Sequence, residues 1–313
     1  MTAARPRIVC YGGLVLDLIV QIPRLPLVAD EAQMSTSLSA EPGGVGNTLI
    51  TAARLGGDDV EIIALGAAGG DPNGRLMLDI FRGEGIGVDT IRCDGGSVNS
   101  LVLVFVDDAG EHAFVVHDGT GDAFTIDEQV AMEIGRAGVF FVPGFALREQ
   151  RMAPTVMEAV GRARASGVTI MNDLGPVCAE PALRRNVRAV VASSAVTMLT
   201  EAEALIVTGE SSHAPAAAQL RSWGCPVVVV KRGGDGCTVW HGDSSTAIPA
   251  IAVTARDTTG AGDTFAGAFM VEWLRSADPL KAARYGSAAA AVVVQKVGAG
   301  RSCPTRDEVA ALL

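Results

Sequence analysis

The chain has 313 residues, of which 49% are hydrophobic and 4% aromatic, and its formal net charge is -10. This length fits one large α/β domain with a small appendage, and the hydrophobic content is ample for a buried core. The negative charge disfavours nucleic-acid and anionic-membrane partners, because both select basic surfaces. The negative charge does not argue against a nucleotide ligand, because a nucleotide needs only a local binding site.

The cysteines and histidines indicate neither a disulfide framework nor a zinc site. The six cysteines contain no C-x-x-C pair, and the four histidines show no H-E-x-x-H spacing. The first residues contain too short an apolar stretch for a signal peptide, and no apolar span of about 18 residues follows. We therefore expect free thiols, no transmembrane segment and a cytoplasmic location.

Short apolar runs alternate with helical patterns along most of the chain. Strands are predicted at the start of 7–22 and at 60–65, 139–142, 168–171, 195–199 and 226–230. Helices are predicted at 46–55, 74–84, 150–165, 201–208, 216–223, 263–275 and 280–296. Repeated strand–helix units imply a mostly parallel sheet that is covered by helices on both faces.

One region departs from this alternation. Residues 100–106 and 112–117 flank Asp107-Asp108-Ala109-Gly110, which is a hairpin signal, and residues 20–40 lack helical periodicity. We expect these segments to form a small β appendage that acts as a lid over a site at the C-terminal edge of the main sheet.

The run from Asp257 to Asp263, D-T-T-G-A-G-D, opens directly into an apolar helical pattern. Glycines at a helix start let the backbone approach a ligand, and the free N–H groups there favour an anion. A carboxylate in the same turn would repel phosphate, but it is suited to take a proton from a hydroxyl that attacks the phosphate. The run therefore indicates phosphoryl transfer, and the alternative is a helix cap beside a glycine turn.

Three further patterns support a ligand site, although each also has a structural interpretation. Asn47 follows the glycine turn Gly43-Gly44 and suits a polyhydroxylated ligand, or it simply caps a helix. Asp17 lies between apolar neighbours and is either a ligand contact or a hydrogen-bonded structural residue. Lys231 leads into the glycine-rich stretch 233–236 and is either a ligand contact or an exposed lysine at a hairpin turn. The chain contains neither a P-loop motif nor a complete G-x-G-x-x-G at a helix start, so both nucleotide-binding classes lose support.

Taken in order, these patterns resemble the ribokinase-like, or phosphofructokinase-B-type (PfkB), carbohydrate kinases. The similarity covers nearly the whole chain, and the D-T-T-G-A-G-D element is its most specific part. The segments that carry it are Gly12–Pro26, Gly43-Gly44 with Asn47, Arg54-Leu55-Gly56, Gly70-Asp71, Lys231-x-Gly233-x-x-Gly236, Asp257–Asp263, Gly298-Ala299 and Pro304-Thr305.

The resemblance implies an ATP- and Mg²⁺-dependent sugar or nucleoside kinase. The implied fold is a single domain over 1–313, a three-layer αβα sandwich with a mostly parallel central sheet, and a β lid from roughly 15–42 and 97–119. By position, Asp263 is similar to the catalytic base. The positions similar to the family's anion hole are Gly260, Ala261 and Gly262, and those similar to its sugar contacts are Asp17, Gly43, Gly44 and Asn47.

The resemblance also implies a nucleotide site and cation sites. The nucleotide positions are Thr200, Lys231, Gly233, Gly236 and Ser287, and the position linked to Mg²⁺ through water is Glu203. The positions that hold a monovalent cation in some members are Asp257, Thr259, Gly298 and Ser302, so activation by K⁺ is an option.

Several residues depart from the family's pattern. The N-x-x-E element starts with Thr200 instead of Asn, which we expect to alter metal handling without removing it. Two residues instead of three separate the glycine pair from Asn47, and Val15 replaces a polar sugar contact of ribokinase. The glycine turn contains no lysine where members of the family often have one, and this absence favours an unphosphorylated sugar over a sugar phosphate. Ser287 replaces an Asn beside the adenine.

Two other functions stay open. A nucleoside kinase of the same fold would close its pocket with apolar or aromatic side chains, and we expect Phe114 and Phe124 in the lid region. A non-catalytic sugar- or nucleotide-binding protein would keep the pocket without the chemistry. An exposed edge of the lid sheet would favour a homodimer through the lid.

Overall fold

A computed structural model describes residues 5–12, 14–119, 124–147, 152–175, 180–298 and 300–313. Its strands, in chain order, are β1 (Arg7–Tyr11), β2 (Leu16–Gln21), β3 (Ser37–Pro42), β4 (Glu61–Gly69), β5 (Ile91–Asp94), β6 (Leu101–Val106), β7 (His112–His117), β8 (Val139–Pro143), β9 (Thr169–Asp173), β10 (Val196–Thr200), β11 (Val227–Lys231), β12 (Cys237–His241) and β13 (Ser244–Ile248). Its helices are α1 (Val45–Gly56), α2 (Pro72–Gly83), α3 (Glu128–Gly135), α4 (Ala153–Ala165), α5 (Arg184–Ser193), α6 (Glu201–Thr208), α7 (His213–Ser222), α8 (Ala261–Ser276), α9 (Pro279–Val293) and α10 (Arg306–Ala310).

The described strands form one large and one small sheet. The large sheet has the order β13-β12-β11-β10-β9-β8-β1-β4-β5, and the small sheet has the order β3-β2-β6-β7. From β11 to β5 the pairs of the large sheet are parallel, whereas β12 and β13 form an antiparallel edge. The expected αβα architecture with a mostly parallel sheet is confirmed.

Side-chain alternation along the strands builds a separate core on each face of the large sheet. In β11, Val227 and Val229 join the core that contains α1, α8 and α9, whereas Val228 and Val230 join the core beneath α4, α5 and α7. Successive strand residues point to opposite faces, so a nearly continuous apolar run can serve two helical layers. This alternation also decides which face receives the polar residues at the strand ends.

The small sheet is built from the two segments, roughly 15–42 and 97–119, in which a β appendage is expected. β2 pairs antiparallel with β3 and parallel with β6, and β6 and β7 form the predicted hairpin. At the hairpin tip, Asp107 accepts from the backbone N–H groups of Ala109 and Glu111, each at 2.9 Å, and from Leu25 at 3.2 Å. One carboxylate thus ties the turn to the neighbouring loop.

Some elements were not predicted from the sequence. These are the helices α3, α5 and α10, the strand β5 and the antiparallel pair β12–β13. The described part of the predicted helix at 150–165 begins at Ala153, and the last long helix ends at Val293 instead of residue 296. Among the described residues, no helix is both long and apolar enough to span a membrane. The described cysteines are free thiols, and Cys178 lies outside the described residues.

Candidate active site

Polar side chains end three neighbouring parallel strands of the large sheet. Asp173 ends β9, Thr200 ends β10 and Lys231 ends β11, and Thr200 pairs in register with Lys231. Each of the three follows its strand's alternation onto the face covered by α8, because Met171, Met198 and Val229 two residues earlier belong to that core. Ligands of open α/β sheets bind at the carboxyl ends of the strands.

Helix α8 brings the D-T-T-G-A-G-D motif to this edge. Gly260 is its N-cap, with φ 72° and ψ 3°, a left-handed conformation that glycine adopts without strain. Gly260, Ala261, Gly262 and Asp263 are all partly exposed, so this turn is accessible to a ligand at the carboxyl edge of the large sheet, the region called the cleft below. Ala261 donates its N–H to Thr258 O at 3.2 Å, whereas the N–H groups of Gly262 and Asp263 have no acceptor among the described residues. The helix start therefore offers free donors to an anion.

Close packing of α1 on α8 places Asn47 beside Asp263. A Cβ at Gly267 of α8 would lie 2.5 Å from Thr48 O, so only glycine lets the two helices approach this closely. At their amino ends, Asn47 Nδ2 donates to Asp263 Oδ2 at 3.2 Å, and Asn47 Oδ1 accepts from Gly300 N at 2.6 Å. Asn47 is buried and its amide is used to orient Asp263 and to anchor the C-terminal segment.

The electrostatic surroundings of Asp263 suit a general base. Burial and the charge of Asp173 raise the pKa of Asp263 to about 6, while the Asn47 hydrogen bond and the charge of Lys231 lower it. A base with a pKa near the working pH accepts a proton efficiently and is still largely ionised at neutral pH.

Asp17 faces the same cleft from the small sheet. Burial, the charge of Asp263 and the charge of Glu41 raise the pKa of Asp17 to about 7. A Cβ at Gly43 would lie 1.9 Å from Asp17 Oδ1, so glycine is required where the carboxyl group crosses the turn. The structure brings Asp17, Gly43, Asn47 and Asp263 together at this edge of the sheet.

The turn before α1 also has an apolar wall. A Cβ at Gly44, whose φ is 52°, would lie 3.3 Å from Phe145 Cζ and 3.8 Å from Val15 Cγ2. Phe145 was not identified from the sequence. The two aromatic residues expected in the lid region lie in different places. Phe114 is on β7 of the small sheet and 62% exposed, whereas Phe124 is only 2% exposed. Phe124 packs against Tyr11 in the main core with ring centroids 4.8 Å apart, so its expected place in the lid region is wrong.

The nucleotide positions cluster around the end of β11. Lys231 forms a buried ion pair with Asp173, and its Nζ lies 3.1 Å from where a Cβ on Gly262 would stand. Lys231 is 12% exposed, so the alternative of an exposed lysine is wrong, although β11 and β12 do form a hairpin. Gly233 and Gly236 shape its turn with φ 55° and 82°, and Ser287 lies beside the first residue of β12, with 3.8 Å between Ser287 Oγ and Cys237 Sγ.

Thr200 and Glu203 form a capping box at the start of α6. Glu203 N donates to Thr200 Oγ1 at 3.3 Å, and Thr200 N donates to Glu203 Oε2 at 2.8 Å. Threonine at this position is therefore explained by helix capping. Glu203 contributes to the electrostatic field at Lys231 and Asp263, so it belongs to the same cleft.

The loop before α8 is closed by Asp257. Asp257 Oδ1 accepts from Thr259 N and Oδ2 from Gly298 N, each at 2.8 Å. Burial raises the pKa of Asp257, but the hydrogen bonds from Thr259 and Gly298 bring it below its ordinary value. The Ser302 hydroxyl instead donates to Val297 O at 3.0 Å. Three of the four expected cation positions, Asp257, Thr259 and Gly298, are thus linked by hydrogen bonds. Ala299, which lies between Gly298 and Ser302 in the sequence, is outside the described residues.

Two acidic residues of the cleft were missed by the sequence reasoning. Asp173 stands two residues after the predicted strand 168–171, and the strand's alternation could have placed it beside Lys231. Glu41 lies beside the C-terminal segment, with Glu41 Oε2 3.3 Å from Arg301 Nε and 3.4 Å from Arg301 N. No local pattern indicated that contact, which joins β3 to a residue 260 positions later.

Comparisons with known proteins agree with this architecture. The sequence model of the "pfkB family carbohydrate kinase" family matches residues 5–306. The chain belongs to the PfkB family. This is a ribokinase-like family of ATP-dependent carbohydrate kinases, so the enzyme is a sugar kinase of that class.

Particular relatives support this assignment over the full length. The ATP-dependent ribose-1-phosphate kinase of Halopiger xanaduensis is 30% identical over 98% of both chains. The Arabidopsis thaliana ribokinase solved with ribose and ATP has a TM-score of 0.87 at 23% identity and 99% coverage of both chains. A putative ribokinase II from E. coli, solved with ATP and Mg²⁺, has a TM-score of 0.85 at 19% identity, covering 99% of both chains. The two structures share the fold of this PfkB kinase.

Proposed function

We propose that this PfkB kinase transfers the γ-phosphoryl group of ATP to a hydroxyl group of an unphosphorylated sugar. Asp263 acts as the general base, and the backbone of Gly260, Ala261 and Gly262 forms the anion hole. In it the Gly262 N–H is a donor without an acceptor in the described part of the chain, and the Ala261 N–H is shared with Thr258 O. The observation that carries this proposal is the position of Asp263 in the first turn of α8, partly exposed beside free N–H donors. Phosphoryl transfer requires mainly positioning and charge stabilisation, which these groups supply.

The proposed reaction is an in-line displacement. The substrate hydroxyl gives its proton to an Asp263 carboxylate oxygen while its oxygen forms a bond to the γ-phosphorus. The bond between the γ-phosphorus and the β,γ-bridging oxygen breaks, and ADP leaves with that electron pair. Backbone donors at the start of α8 stabilise the charge on the phosphoryl oxygens, where each such donor contributes about 3–4 kcal/mol.

ATP would lie along the ends of β10 and β11. The residues assigned to it are Thr200, Lys231, Gly233, Gly236 and Ser287. Mg²⁺, when bound to the ATP phosphates, neutralises their charge and orients them. Among the described residues no group of three or more acidic, His or Cys side chains forms a metal cage, so this chain fits an ion held mainly by ATP, with Glu203 reaching it through water. The free thiols and the need for ATP support a cytoplasmic location.

A monovalent cation would lie behind the anion hole. We assign it to the loop formed by Asp257, Thr259, Gly298 and Ser302. The two hydrogen bonds that Asp257 accepts from Thr259 N and Gly298 N support this assignment, since they hold a carboxylate and the two loop segments together. K⁺ would then raise activity by fixing the loop rather than by joining the chemistry.

The substrate side favours a neutral polyol. Asp17, Gly43, Gly44 and Asn47 are the assigned sugar-side residues, with Asp17 as the hydroxyl acceptor and Asn47 acting through Asp263. The carboxylates of Asp17 and Glu41 would repel a phosphate group on the sugar. The Halopiger relative is named for a phosphorylated sugar, so both substrate types must be tested.

A nucleoside is the second candidate substrate. Phe145 and Val15 flank the Gly44 turn and provide an apolar wall on which a base could stack. Adenosine, cytidine and pseudouridine are therefore included in the test below.

The small sheet is proposed to be the lid and the dimer contact. Its strands carry exposed apolar side chains, including Leu38 at 69%, Phe114 at 62%, Val115 at 55% and Val116 at 53%. By strand alternation Leu38 and Val115 lie on one face of the sheet. Phe114 and Val116 lie on the other face together with Asp17. A second copy that packs against the first face would cover Leu38 and Val115, and closure of the lid would exclude water from ATP. A mass of two chains in light scattering supports the dimer, and a monomer at micromolar concentration refutes it.

An ADP-release screen tests the proposed function. It covers free sugars, sugar phosphates and nucleosides with ATP and Mg²⁺, with and without K⁺. We expect ADP and a phosphorylated product in equal amounts with a free sugar. A preference for a sugar phosphate or nucleoside would refute the neutral-sugar assignment, and nucleotide binding without any turnover would favour a non-catalytic binding protein.

A further inference from the structure

Lys231 and Asp173 form an ion pair that the proposed reaction does not yet use. They end β11 and β9, with β10 between them, and their side chains are 12% and 13% exposed. Removing two charges from water is costly, and a buried ion pair contributes little net stability compared with apolar residues. A buried pair at the edge of a cleft is therefore better explained by the ligand than by folding.

The pair holds the ammonium group against the anion hole. Lys231 Nζ lies 3.1 Å from the position of a Cβ on Gly262, so a side chain at Gly262 would push the ammonium away. Among the described residues, Asp173 is the one hydrogen-bond partner of this ammonium group. An ammonium has three donor hydrogens, so two remain for a ligand at the start of α8.

We propose that Lys231 is a catalytic residue whose ammonium donates to a nonbridging oxygen of the transferring phosphoryl group, and that Asp173 is the positioning residue that holds it there. This assignment rests on the proposed kinase function. Lys231 stays protonated throughout, because Asp263 takes the hydroxyl proton and ADP leaves with the electron pair of the broken P–O bond. The ammonium stabilises charge that spreads over the phosphoryl oxygens in the transition state.

The charges around Lys231 fit this role. Burial alone would lower the pKa of Lys231, but the carboxylates of Asp173, Glu203 and Asp263 raise it above its ordinary value. The ammonium is therefore charged at neutral pH, as a phosphoryl contact requires. Six ionisable groups either change the pKa of Asp263 by their charge or have their own pKa changed by the charge of Asp263. They are Cys10, Asp17, Asp173, Glu203, Lys231 and Cys303.

Nucleotide affinity distinguishes a γ-phosphoryl contact from general nucleotide binding. Calorimetry with Mg²⁺ compares the ATP analogue AMP-PNP with ADP in the wild type and in Lys231→Met. We expect the AMP-PNP affinity to fall about tenfold or more and the ADP affinity to change less than about twofold, since one charged hydrogen bond is lost. Equal losses for both nucleotides, or no loss for either, would overturn the assignment.

Kinetics test the two roles separately. Lys231→Met should lower kcat about 10²–10³-fold with little change in the sugar KM, as for loss of one donor to the transition state. Asp173→Asn removes a negative charge that raises the pKa of Asp263, so the acidic limb of kcat/KM should move to lower pH. Asp173→Asn should also reduce the preference for AMP-PNP over ADP, because Lys231 is no longer held in place, whereas a purely structural Asp173 would leave this preference unchanged.

Folding controls keep the test decisive. Lys231→Met leaves Asp173 buried without its partner, so the double variant Asp173→Asn/Lys231→Met removes both charges and is measured if the single variant unfolds. Arg7→Met breaks the ion pairs of Arg7 with Glu61 and Glu133 at the amino end of β1, away from the cleft, and should lower only stability. If the double variant retains the wild-type preference for AMP-PNP over ADP, the assignment is wrong. If Lys231→Met loses the preference for AMP-PNP but the wild type phosphorylates none of the tested acceptors, the proposed function alone is refuted.

Discussion

Asn47 Nδ2 donates to Asp263 Oδ2 across 3.2 Å, although 216 residues separate the two along the chain. The same amide accepts from Gly300 N at 2.6 Å, so one side chain joins α1, α8 and the C-terminal segment. Because both polar atoms of the amide are used within the protein, Asn47 fixes the orientation of the proposed base.

Replacing Asn47 should therefore affect the base more than sugar affinity. Asn47→Asp puts a second negative charge next to Asp263 and should move the acidic limb of kcat/KM upward by about one pH unit or more. Asn47→Ala adds no charge but leaves Gly300 N without its acceptor, at a cost of about 1–3 kcal/mol of stability. Initial rates from pH 4.5 to 9 check the pH profile of Asn47→Asp, and thermal melts check the stability of Asn47→Ala. If the acidic limb of kcat/KM does not move in Asn47→Asp, Asn47 does not control the base.

Gly43→Ala should remove sugar binding while preserving ATP binding. The new Cβ would lie 1.9 Å from Asp17 Oδ1, so the carboxyl group or the turn must move. A displacement of this size costs about 10²-fold in kcat/KM for the sugar. The matched control is Gly161→Ala in α4, where no atom lies within 4 Å and a gain of about 0.5–1 kcal/mol in stability is expected. Equal sugar kinetics in the two variants would refute the assigned contact.

The wild-type pH profile should fall off at a higher pH than ordinary aspartates would give. The pKa values of Asp263 and Asp17 are raised to about 6 and about 7, and both carboxylates must be ionised for turnover. Their charges interact, so the profile reports apparent values of the pair. We expect kcat/KM to rise between about pH 5 and 8; a flat profile down to pH 4.5 would contradict the assigned roles.

The same pKa shifts predict that Asp17→Asn is stabilising at alkaline pH. A carboxyl group whose pKa is higher in the folded state is better protonated there, so the free energy of unfolding of the wild type falls as pH rises from its unfolded pKa through about 7. The variant should melt above the wild type at pH 8, and the difference should shrink at pH 4. The control Asp79→Asn, whose side chain is 74% exposed, should shift neither melt. A lower melting temperature at pH 8 would show that Asp17 stabilises the fold.

Local pattern and strand alternation account for most of the fold and part of the site. The motif around Gly260 identified α8 and its open N-terminus, and the apolar runs identified the parallel strands except β5. Alternation from Val229 to Lys231 already puts the lysine on the α8 face, and the same argument applied to Met171 would have identified Asp173. These inferences succeed because they depend only on the period of one element.

Contacts between distant segments were not predictable from the sequence. Phe124 is expected in the lid region from the sequence, but in the structure it packs against Tyr11 in the main core. Phe145 reaches the Gly44 turn from the segment after β8. Both positions follow from how helices and loops fold back on the sheet, which a single sequence does not encode in any local period.

The most direct test of the account is single-turnover kinetics of Asp263→Asn with ATP, Mg²⁺ and the best sugar of the screen. Asparagine keeps the shape of the side chain and cannot take the proton, so we expect the chemical step to slow about 10²–10⁴-fold. ATP affinity should stay within about twofold of the wild type, and Asp79→Asn should behave as the wild type. If Asp263→Asn retains more than a few per cent of the wild-type rate, a smaller loss than a general base gives, Asp263 is not the base.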